Sequence, residues 1–498
     1  MSFVQNFPFF TIILSLICAV VSFVLSKNAS KWVSVALLSI SSVLNLAVLV
    51  YCSQNNTDFT YMMGHFPAPW GNELAAGVFE SLMALLFAFV MLMSILGGAS
   101  HVEHDVAKQR RHLYWVMVDL THAALMALCY TNDIFTGYVF IEVCTIASCA
   151  LLAVRGGGRV LIASVRYMIF ALVGSGLFLM GVVFTYSITG HLLFPQLREA
   201  IALLWRDGSY RLSMTVAIGL MSVGLAIKAG LFPFHFWLPS AHGRATTATS
   251  GILSGVIVKG YLFLLIKIIY RVVGVEVFHA SGVQNVLLIF GVAAMVFCSA
   301  AAVGSRRLKT MVAYSSAAQI GYMFMGLGMG TEAALIAVFF QIISHALTKP
   351  MLFLASSSLM DSCGGHQDFR SLRGAGHRNK PAGFLFTVGA LSMVGIPMFI
   401  GFIPKLHFAS AAFGMGWRTW AVLGALVIST LLNVLYFLYT AMLLWLPVND
   451  DNRPSFNGKS AWRHAAPGLA LAVLGMAIGL QSAPLAQLLQ QGIALFCR

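Results

Sequence analysis

The sequence predicts an all-α integral membrane protein of about fourteen transmembrane helices. Of its 498 residues, 59% are hydrophobic and 9% are charged, whereas a soluble domain is usually about one-quarter charged. A soluble fold of this length has too little interior to bury so much apolar surface, so lipid must surround most of the chain. The 45 glycines suit the close approach of helices within a membrane.

Apolar runs long enough to cross a bilayer, about 20 residues each, recur along the whole chain. The first run lacks the basic region and cleavage site of a signal peptide, so we expect it to be retained. A stretch at 190–213 is predicted to be an amphipathic surface helix. The predicted spans are 8–26, 32–52, 75–98, 112–131, 134–154, 162–189, 214–236, 249–273, 284–303, 311–330, 332–360, 382–412, 419–447 and 467–487.

The basic residues indicate how the chain is oriented. The formal net charge is +14, but no basic tract with interleaved aromatic residues is present, so we expect no nucleic-acid partner. Loops after odd-numbered spans carry 19 Lys and Arg, against 6 in loops after even-numbered spans. Because cytoplasmic loops are the more basic, we predict a multi-pass protein of the cytoplasmic (inner) membrane of the cell, with both termini on the outer face.

Two predicted spans contain helix breakers. Span 7 contains Pro233, five residues after Lys228, and span 12 contains Gly395-Ile396-Pro397 and then Pro404-Lys405. Proline interrupts the helical hydrogen-bond ladder, and paired broken helices in corresponding positions of two halves indicate a transport site. Since these spans are five apart, and five is odd, the two repeats must be inverted relative to each other.

This spacing divides the chain into four parts. The two inverted five-helix repeats comprise helices 4–8 and 9–13, with helices 7 and 12 broken. The predicted parts are an N-terminal three-helix segment at 1–111, the first repeat at 112–273, the second repeat at 284–447, and a C-terminal loop with the last helix at 448–498.

Six ionisable side chains lie deep in these apolar runs, and we call them the lysine file. Each charge at the bilayer centre costs about 2.5–3.5 kcal/mol, and such residues usually mark ion pathways. For any one of them the alternative is an ion pair that locks two helices. Lys outnumbers Glu in the set, however, so the charges cannot all be paired. The lysine file consists of Glu142, Lys228, Lys259, His345, Lys349 and Lys405.

The chemistry of these side chains suits proton transfer. Burial disfavours the charged ammonium, whereas a nearby carboxylate stabilises it. We therefore predict that Glu142 pairs with Lys228, and that moving the carboxylate would load or unload the lysine. Histidine exchanges protons near neutral pH, and His345 shares one helix face with Lys349, four residues later.

Several motifs, in order along the chain, resemble one family. His235–His242 (HFWLPSAH) resembles the HxWLPxAH signature of the antiporter-like subunits of respiratory complex I, Mrp-type Na⁺/H⁺ antiporters and membrane-bound hydrogenases. The resemblance covers about 60–460 of the chain. Further similar stretches are TNDIFTGYVFIEVCTIASCALLA (131–153), SGILSGVIVKGYLFLL (250–265), RRLKTMVAYSSAAQIGYMFMG (306–326), HALTKPMLFLAS (345–356) and GIPMFIGFIPKLHF (395–408).

The resemblance implies fourteen helices with two inverted repeats, and it implies a proton pathway through the same six residues of the lysine file. It also implies a non-catalytic, proton-translocating subunit of a redox-driven complex, either NADH/quinone oxidoreductase-like or membrane-bound hydrogenase-like. The alternative is a subunit of an Mrp-type Na⁺/H⁺ antiporter with no redox partner. The expected partners are further antiporter-like membrane subunits, the lipid bilayer and a peripheral redox module, with H⁺ and, for the antiporter, Na⁺ as the transported ions.

Four further residues are accessory candidates. His235 and His242 have no third ligand nearby in sequence, so we expect family pathway or structural roles and no metal. Asp119 and His122 share a face of span 4 and form either a helix-locking pair or an accessory site of proton uptake. The eight Cys form no CxxC pair, and no dinucleotide fingerprint is present, so we expect no cofactor and no catalytic redox site in this chain.

The sequence also departs from the family pattern. Its third helix has Gly77 where the family commonly has Asp, with Glu80 nearby, and Arg166 stands where Lys is common. These departures favour the Mrp or hydrogenase-related branch.

Overall fold

The first part of the chain places long helices around a short hairpin. The computed structural model describes residues 3–67, 70–447 and 458–496. The strands β1 (Phe59–Met62) and β2 (Glu73–Ala76) pair antiparallel within the loop that follows the second helix. The first eight α-helices are α1 (Phe7–Val24), α2 (Lys27–Asn55), α3 (Val78–Asp105), α4 (Arg111–Tyr130), α5 (Ile134–Ala153), α6 (Gly158–Thr189), α7 (Phe194–Arg206) and α8 (Arg211–Ala229).

The middle of the chain contains the most interrupted helices. Two π-helical segments, Leu253–Ile257 and Ile268–Val273, are continuous with the α-helix between them. A 3-10 turn, Phe234–Phe236, precedes α9. The α-helices of this part are α9 (Trp237–His242), α10 (Thr247–Ile252), α11 (Val258–Lys267), α12 (Val275–Ala280), α13 (Val283–Val303), α14 (Leu308–Met329) and α15 (Glu332–Asp361).

The last part of the chain packs against an early helix. Its C-terminal helices pack against α3 and α15, and Phe496 meets Phe79 edge to face with ring centroids 5.2 Å apart. A π-helical segment, Val434–Leu438, lies within the penultimate span. The helices are α16 (Ala375–Arg378), α17 (Lys380–Val394), α18 (Phe402–Ala412), α19 (Trp417–Asn433), α20 (Tyr439–Leu444), α21 (Gly458–Leu480) and α22 (Ala483–Phe496).

The helices have the length and composition of a membrane bundle. In the described part of the chain, eleven helices are long and apolar enough to cross a membrane, or up to twelve if α21 and α22 together form one span. The prediction of an all-α membrane protein is confirmed. The remaining predicted spans, 311–330 and 382–412, coincide with the more polar α14 and with the two shorter helices α17 and α18, so the count of fourteen stays a prediction.

Two helical expectations have clear outcomes. The amphipathic helix predicted at 190–213 is α7, whose Phe194, Leu197 and Ile201 are buried on one face. The span predicted at 467–487 coincides with α21 and the start of α22, which meet at an 81° bend. Pro484 lies in the first turn of α22, where it has no backbone N–H to donate to the preceding helix.

Burial separates the central helices from the peripheral ones. The segment 247–273 is buried along its length apart from Arg271, and α15 is buried along most of its length. Around them, α1, α6, α13 and α19 carry exposed large apolar side chains, including Phe23, Ile162, Phe297 and Trp420. Since exposed apolar surface of this extent suits lipid, the two central segments form the protein interior, and they carry Lys259, His345 and Lys349.

Candidate functional site

Lys228 forms the predicted ion pair with Glu142. Lys228 is the penultimate residue of α8, which ends because Gly230 adopts a left-handed conformation (φ 77°). Its Nζ lies 3.6 Å from Oε1 of Glu142 on α5, with the lysine side chain fully buried and the glutamate side chain 22% exposed. The predicted pairing is therefore confirmed. The carboxylate reaches the edge of the protein, while the ammonium lies inside it.

Hydroxyl groups complete the surroundings of the Lys228 ammonium. Nζ donates to Oγ1 of Thr145 at 2.7 Å and to Oγ of Ser175 at 2.5 Å. The hydroxyl of Tyr261 lies 3.5 Å from the same Thr145 oxygen. Tyr261 lies on α11, so these hydroxyls extend from the first lysine to the helix that carries the second, Lys259.

Lys259 lies at the centre of the molecule. Its side chain is buried, and Nζ donates to the backbone carbonyl of Ser254 in the preceding π-helical segment. Among the described residues no carboxylate lies within ion-pair distance of it. Short π-helical segments are rare and frequently occur at functional sites, so the local backbone also singles out this position.

A continuous set of polar contacts joins Lys259 to Lys349. The Ser254 hydroxyl, on the residue whose carbonyl binds Lys259, lies 3.0 Å from the hydroxyl of Ser316 on α14. Ser316 donates to the carbonyl of Val312 at 3.1 Å, and Lys349 Nζ donates to the same carbonyl at 3.1 Å. Lys349 is fully buried. The two halves of the chain are thus connected by polar groups at their shared centre.

Two buried histidines lie among these lysines. Both ring nitrogens of His345 and of His242 lack a hydrogen-bond partner within the described part of the protein. His242 stacks on Phe353 with ring centroids 4.7 Å apart, and both rings lie within electrostatic range of Lys259 and Lys349. Buried polar groups are usually hydrogen-bonded, so unpartnered imidazoles here can exchange protons without first breaking a protein hydrogen bond.

Lys405 lies in the first turn of α18, and its ammonium reaches back to the end of α17. Its Nζ donates to the carbonyl of Val394 at 2.6 Å and to Oγ1 of Thr430 at 3.0 Å. Val394 is the last residue of α17, so the ammonium binds the negative end of that helix. Unlike Lys228, Lys405 has no carboxylate within ion-pair distance among the described residues.

The accessory candidates have different surroundings. Asp119 accepts a hydrogen bond from Ser22 on α1 at 2.8 Å, and Nε2 of His122 lies 2.9 Å from the Ser41 hydroxyl on α2. These two residues therefore do not pair with each other; each connects α4 to a different neighbouring helix. His235 is buried and stacks on Phe232 and Phe236. Within the described residues, no three His, Cys, Asp or Glu side chains form a group that could hold a metal.

A polar cavity opens on the face that carries the basic loops. It has a volume of about 630 Å³, and its walls include Lys309, Thr247, Ser357 and Asp361. The hydroxyls of Thr247 and Ser357 are 2.7 Å apart. Lys309 lies within electrostatic range of the buried His242, so this cavity approaches the centre of the lysine file from one side of the molecule.

Two charged residues outside the lysine file also lie deep in the protein. The loop charge count includes Lys267 and Arg271, although both fall within the predicted span 249–273. The structure places them in the helical segment that ends at Val273, with Lys267 fully buried and the Arg271 side chain 14% exposed. Arg271 forms an ion pair with the fully buried Glu80 at 3.2 Å. The available signal was the apolar run 260–273, which continues through both basic residues.

The chain matches a known family and known relatives over most of its length. A family model described as "NADH:quinone oxidoreductase/Mrp antiporter, TM" matches residues 131–432, the range that contains the whole lysine file. The chain is 30% identical to the N subunit of the NADH-quinone oxidoreductase of Desulforudis audaxviator, over 76% of this chain and 73% of that protein. It is 27% identical to the D subunit of the Na⁺/H⁺ antiporter of Bacillus subtilis, over 96% of this chain and 94% of that protein.

Solved structures share the fold. A chain of the membrane-bound sulfane sulfur reductase, an archaeal respiratory membrane complex, is similar with a TM-score of 0.88 at 26% identity, covering 99% of this chain and 98% of that one. A chain of the Mrp complex from a Dietzia species gives 0.87 at 23% identity, covering 100% and 98%. A chain of respiratory complex I from Thermus thermophilus gives 0.72 at 21% identity, covering 98% and 100%.

Proposed function

The chain belongs to the NADH:quinone oxidoreductase/Mrp antiporter transmembrane family, and we propose that it carries protons across the bilayer along the lysine file. One observation supports this most: among the described residues, Lys259, Lys349 and Lys405 are buried or half-buried without a carboxylate partner. A lysine that only locks helices needs such a partner, because an unpaired buried charge is strongly destabilising. A lysine that loses and regains a proton needs no such carboxylate partner.

In this proposal, Glu142 controls the first lysine. At 3.6 Å the carboxylate stabilises the protonated form of Lys228, and when it moves away the buried ammonium loses that stabilisation and releases its proton. Glu142 is free to move because it is partly exposed at the edge of the protein. The released proton passes by way of Thr145 and Tyr261 towards Lys259.

The proton then crosses between the two halves of the chain. The Ser254 and Ser316 hydroxyls connect Lys259 with the carbonyl that holds Lys349, and His345 exchanges protons with the lysines on both sides of it. Lys405 is the last carrier, held by the end of α17. Water in the polar interior bridges the distances that exceed direct hydrogen bonding, as broken helices in membranes permit.

The proposed architecture follows the sequence analysis. The chain forms fourteen helices with two inverted five-helix repeats at 112–273 and 284–447, preceded by a three-helix segment at 1–111. Helices 7 and 12 are the broken ones; α8 stops before Pro233, and α17 and α18 are separate helices. For the last part, 448–498, residues 448–457 and 497–498 lie outside the described residues.

The basic loops are proposed to face the cytoplasm, with both termini outside. Single cysteines replacing Arg306 and Asn55 test this orientation with a membrane-impermeant thiol reagent. In everted vesicles, the Arg306→Cys protein should react and the Asn55→Cys protein should not. The reverse pattern would overturn the orientation.

We further propose that the chain is a membrane subunit of a redox-driven complex, alongside other antiporter-like subunits and a peripheral redox module. The 30% identity to an NADH-quinone oxidoreductase subunit and the 26% identity to a chain of a respiratory membrane complex support this. The second candidate is an Mrp-type Na⁺/H⁺ antiporter subunit, which the match over 96% of the chain to a Na⁺/H⁺ antiporter component supports.

One purification separates these two candidates. The complex is isolated through a tag on this chain, and its subunits are identified by mass spectrometry. A nickel–iron hydrogenase-like or NADH-oxidising subunit supports the redox-driven complex, whereas a compact set of small membrane subunits with Na⁺-dependent proton movement supports the antiporter.

The proposed function is tested by Lys405→Ala. The variant complex, assembled to normal levels in vesicles, should show no proton translocation above background, because the last carrier is missing. Arg418→Ala, which removes a basic residue at the start of α19, serves as the control and should translocate normally. If Lys405→Ala translocated protons at the parental rate, the lysines would be structural and the proposal wrong.

A further inference from the structure

A group of charged residues that lies apart from the lysine file surrounds the beginning of α3. We call Glu80, Lys267, Arg271 and Asp58 the charged cluster. It lies on the face opposite the basic loops, beside the β1–β2 hairpin. Arg271 Nη2 lies 3.2 Å from Oε1 of Glu80 and 3.9 Å from Oδ2 of Asp58. A single guanidinium is therefore shared between two carboxylates.

The two carboxylates lie at different depths. The Glu80 side chain is 0% exposed, the Arg271 side chain is 14% exposed and the Asp58 side chain is 51% exposed. A cavity of about 460 Å³ is lined by Asp58 and Arg271 and also by Arg198. The cluster is thus a graded series of charges from the protein interior to a surface cavity.

Lys267 connects this series to the interior. Its Nζ donates to the backbone carbonyl of Cys129 at 2.9 Å and to that of Thr131, and it lies within electrostatic range of Glu80. It follows Lys259 by eight residues in the same helical segment, or about 12 Å at 1.5 Å per residue. A buried lysine of the lysine file and a buried lysine of the charged cluster are therefore neighbours along one helix.

The Glu80 carboxylate is held loosely for a structural residue. Neither of its oxygens has a hydrogen-bond partner within the described part of the protein, whereas structural Arg–carboxylate pairs usually form two parallel hydrogen bonds. A Cβ added at Gly77 would lie 2.9 Å from Oε2 of Glu80. The glycine that replaces the family's common Asp therefore leaves room for this carboxylate.

We propose that Glu80 forms a second opening of the lysine file, through which protons reach the face opposite the basic loops. Arg271 closes this opening by pairing with Glu80. This inference rests on the proposed function: Lys405 remains the last carrier of the lysine file, and the two ends work in one cycle because Lys259 joins them, so blocking either end slows or stops translocation. With Arg271 on Glu80 the opening is closed. When Arg271 moves to Asp58, the buried carboxylate is free to bind a proton.

Each proton in this step is accounted for. The Lys267 ammonium gives a proton to the Glu80 carboxylate, directly or through water, leaving a neutral amine and a neutral carboxylic acid. The acid then gives that proton to water in the cavity and becomes a carboxylate again, to which Arg271 returns. Lys267 regains a proton from the lysine file, so one proton leaves per cycle and no charge remains.

The first experiment compares Glu80→Gln with Glu80→Asp in the assembled complex, energised by its own driving reaction in sealed vesicles. Glu80→Gln should slow proton translocation at least about tenfold, as expected for loss of a proton-transfer group, while Glu80→Asp keeps most of the rate. Glu276→Gln is the matched control, because Glu276 is exposed on α12 at the same face, and it should translocate at the parental rate.

The second experiment measures accessibility, which does not depend on transport. A water-soluble carbodiimide with a membrane-impermeant amine is added to right-side-out and to everted vesicles, and Glu80 is examined by peptide mass spectrometry. Glu80 should be modified in right-side-out vesicles only, and more slowly in Asp58→Asn, because Arg271 then stays on Glu80. Absence of modification, or equal modification from both sides, would overturn the opening.

The two proposals fail separately. If Lys228→Ala is inactive and Glu80→Gln translocates at the parental rate, the lysine file stands and the opening at Glu80 does not. If Lys228→Ala itself translocates normally, the proposed function is wrong.

Discussion

Lys228 in the first half of the chain and Lys405 in the second both lie beside an interrupted helix, yet their ammonium groups have different partners. Lys228 has a carboxylate, Glu142, and two hydroxyls. Lys405 has backbone carbonyls and one hydroxyl. A carboxylate stabilises the charged lysine more strongly than neutral dipoles do. In the proposed pathway, the first half therefore holds its proton until the Glu142 carboxylate moves, and the second half releases its proton more readily.

The centre of the molecule, where the halves meet, is expected to be the most sensitive position. Lys259→Ala should reduce proton translocation at least about a hundredfold, because it removes the buried ammonium that joins the Lys228 half of the lysine file to the Lys349 half. The measurement is proton translocation in sealed vesicles at equal levels of assembled complex. Translocation near the parental rate would contradict this expectation. It would mean that the two halves work independently and do not form one proton path.

Glu142→Gln should remove the electrostatic difference between Lys228 and Lys405. The amide keeps the size of the side chain but no longer stabilises the ammonium electrostatically, so Lys228 loses the partner that distinguishes it from Lys405. We expect translocation to slow by about ten- to a hundredfold, with assembly unchanged. Glu332→Gln, an exposed residue at the start of α15, is the matched control. An unchanged rate for Glu142→Gln would show that the ion pair is only structural.

Lys405→Glu tests whether an acidic titratable group can replace the basic one in the second half of the chain. A glutamate at this position can also bind and release a proton, so the variant should keep partial function, whereas Lys405→Ala should keep none. A glutamate opposite the carbonyl of Val394 must be protonated to donate there, and the rate should accordingly fall by about tenfold. Equal loss in both variants would show that a titratable group at this position is not sufficient.

The contact between the Ser254 and Ser316 hydroxyls should have a smaller effect. Ser316→Ala removes the hydroxyl that lies between Ser254 and the carbonyl bound by Lys349. One neutral hydrogen bond is worth about 1 kcal/mol, which corresponds to about a fivefold decrease in rate. Ser305→Ala, in the loop before α14, is the control. A loss as large as that of Lys259→Ala would make the serine an essential carrier.

The accessory pair on α4 should have the smallest effect on transport. Asp119 and His122 bind Ser22 and Ser41, respectively, and connect α4 to α1 and α2. Asp119→Asn should leave translocation within about twofold of the parental rate and destabilise the protein by about 1–2 kcal/mol, the cost of weakening a buried hydrogen bond. Thermal unfolding of the purified complex measures the second effect. A large loss of translocation at normal stability would restore the proton-uptake interpretation.

The sequence by itself determined the membrane class, the family and the composition of the lysine file. These depend on local properties: long apolar runs, helix breakers and motifs, all of which are read along the chain. It also predicted the pairing of Glu142 with Lys228, because both positions match the family resemblance and either charge is costly in the membrane when left alone. The amphipathic α7 was predictable for the same reason, since its periodicity is a property of its own residues.

Only the tertiary structure decided which charges meet across helices. Lys267 and Arg271 lie near the end of the predicted span 249–273, and their burial depends on α3, α7 and the last described residues of the chain packing around them. The serine contact between the halves and the separate partners of Asp119 and His122 likewise join residues far apart in sequence. The physical reason is that burial and electrostatic partners belong to the packed set of helices, whereas hydropathy and motif belong to each helix alone.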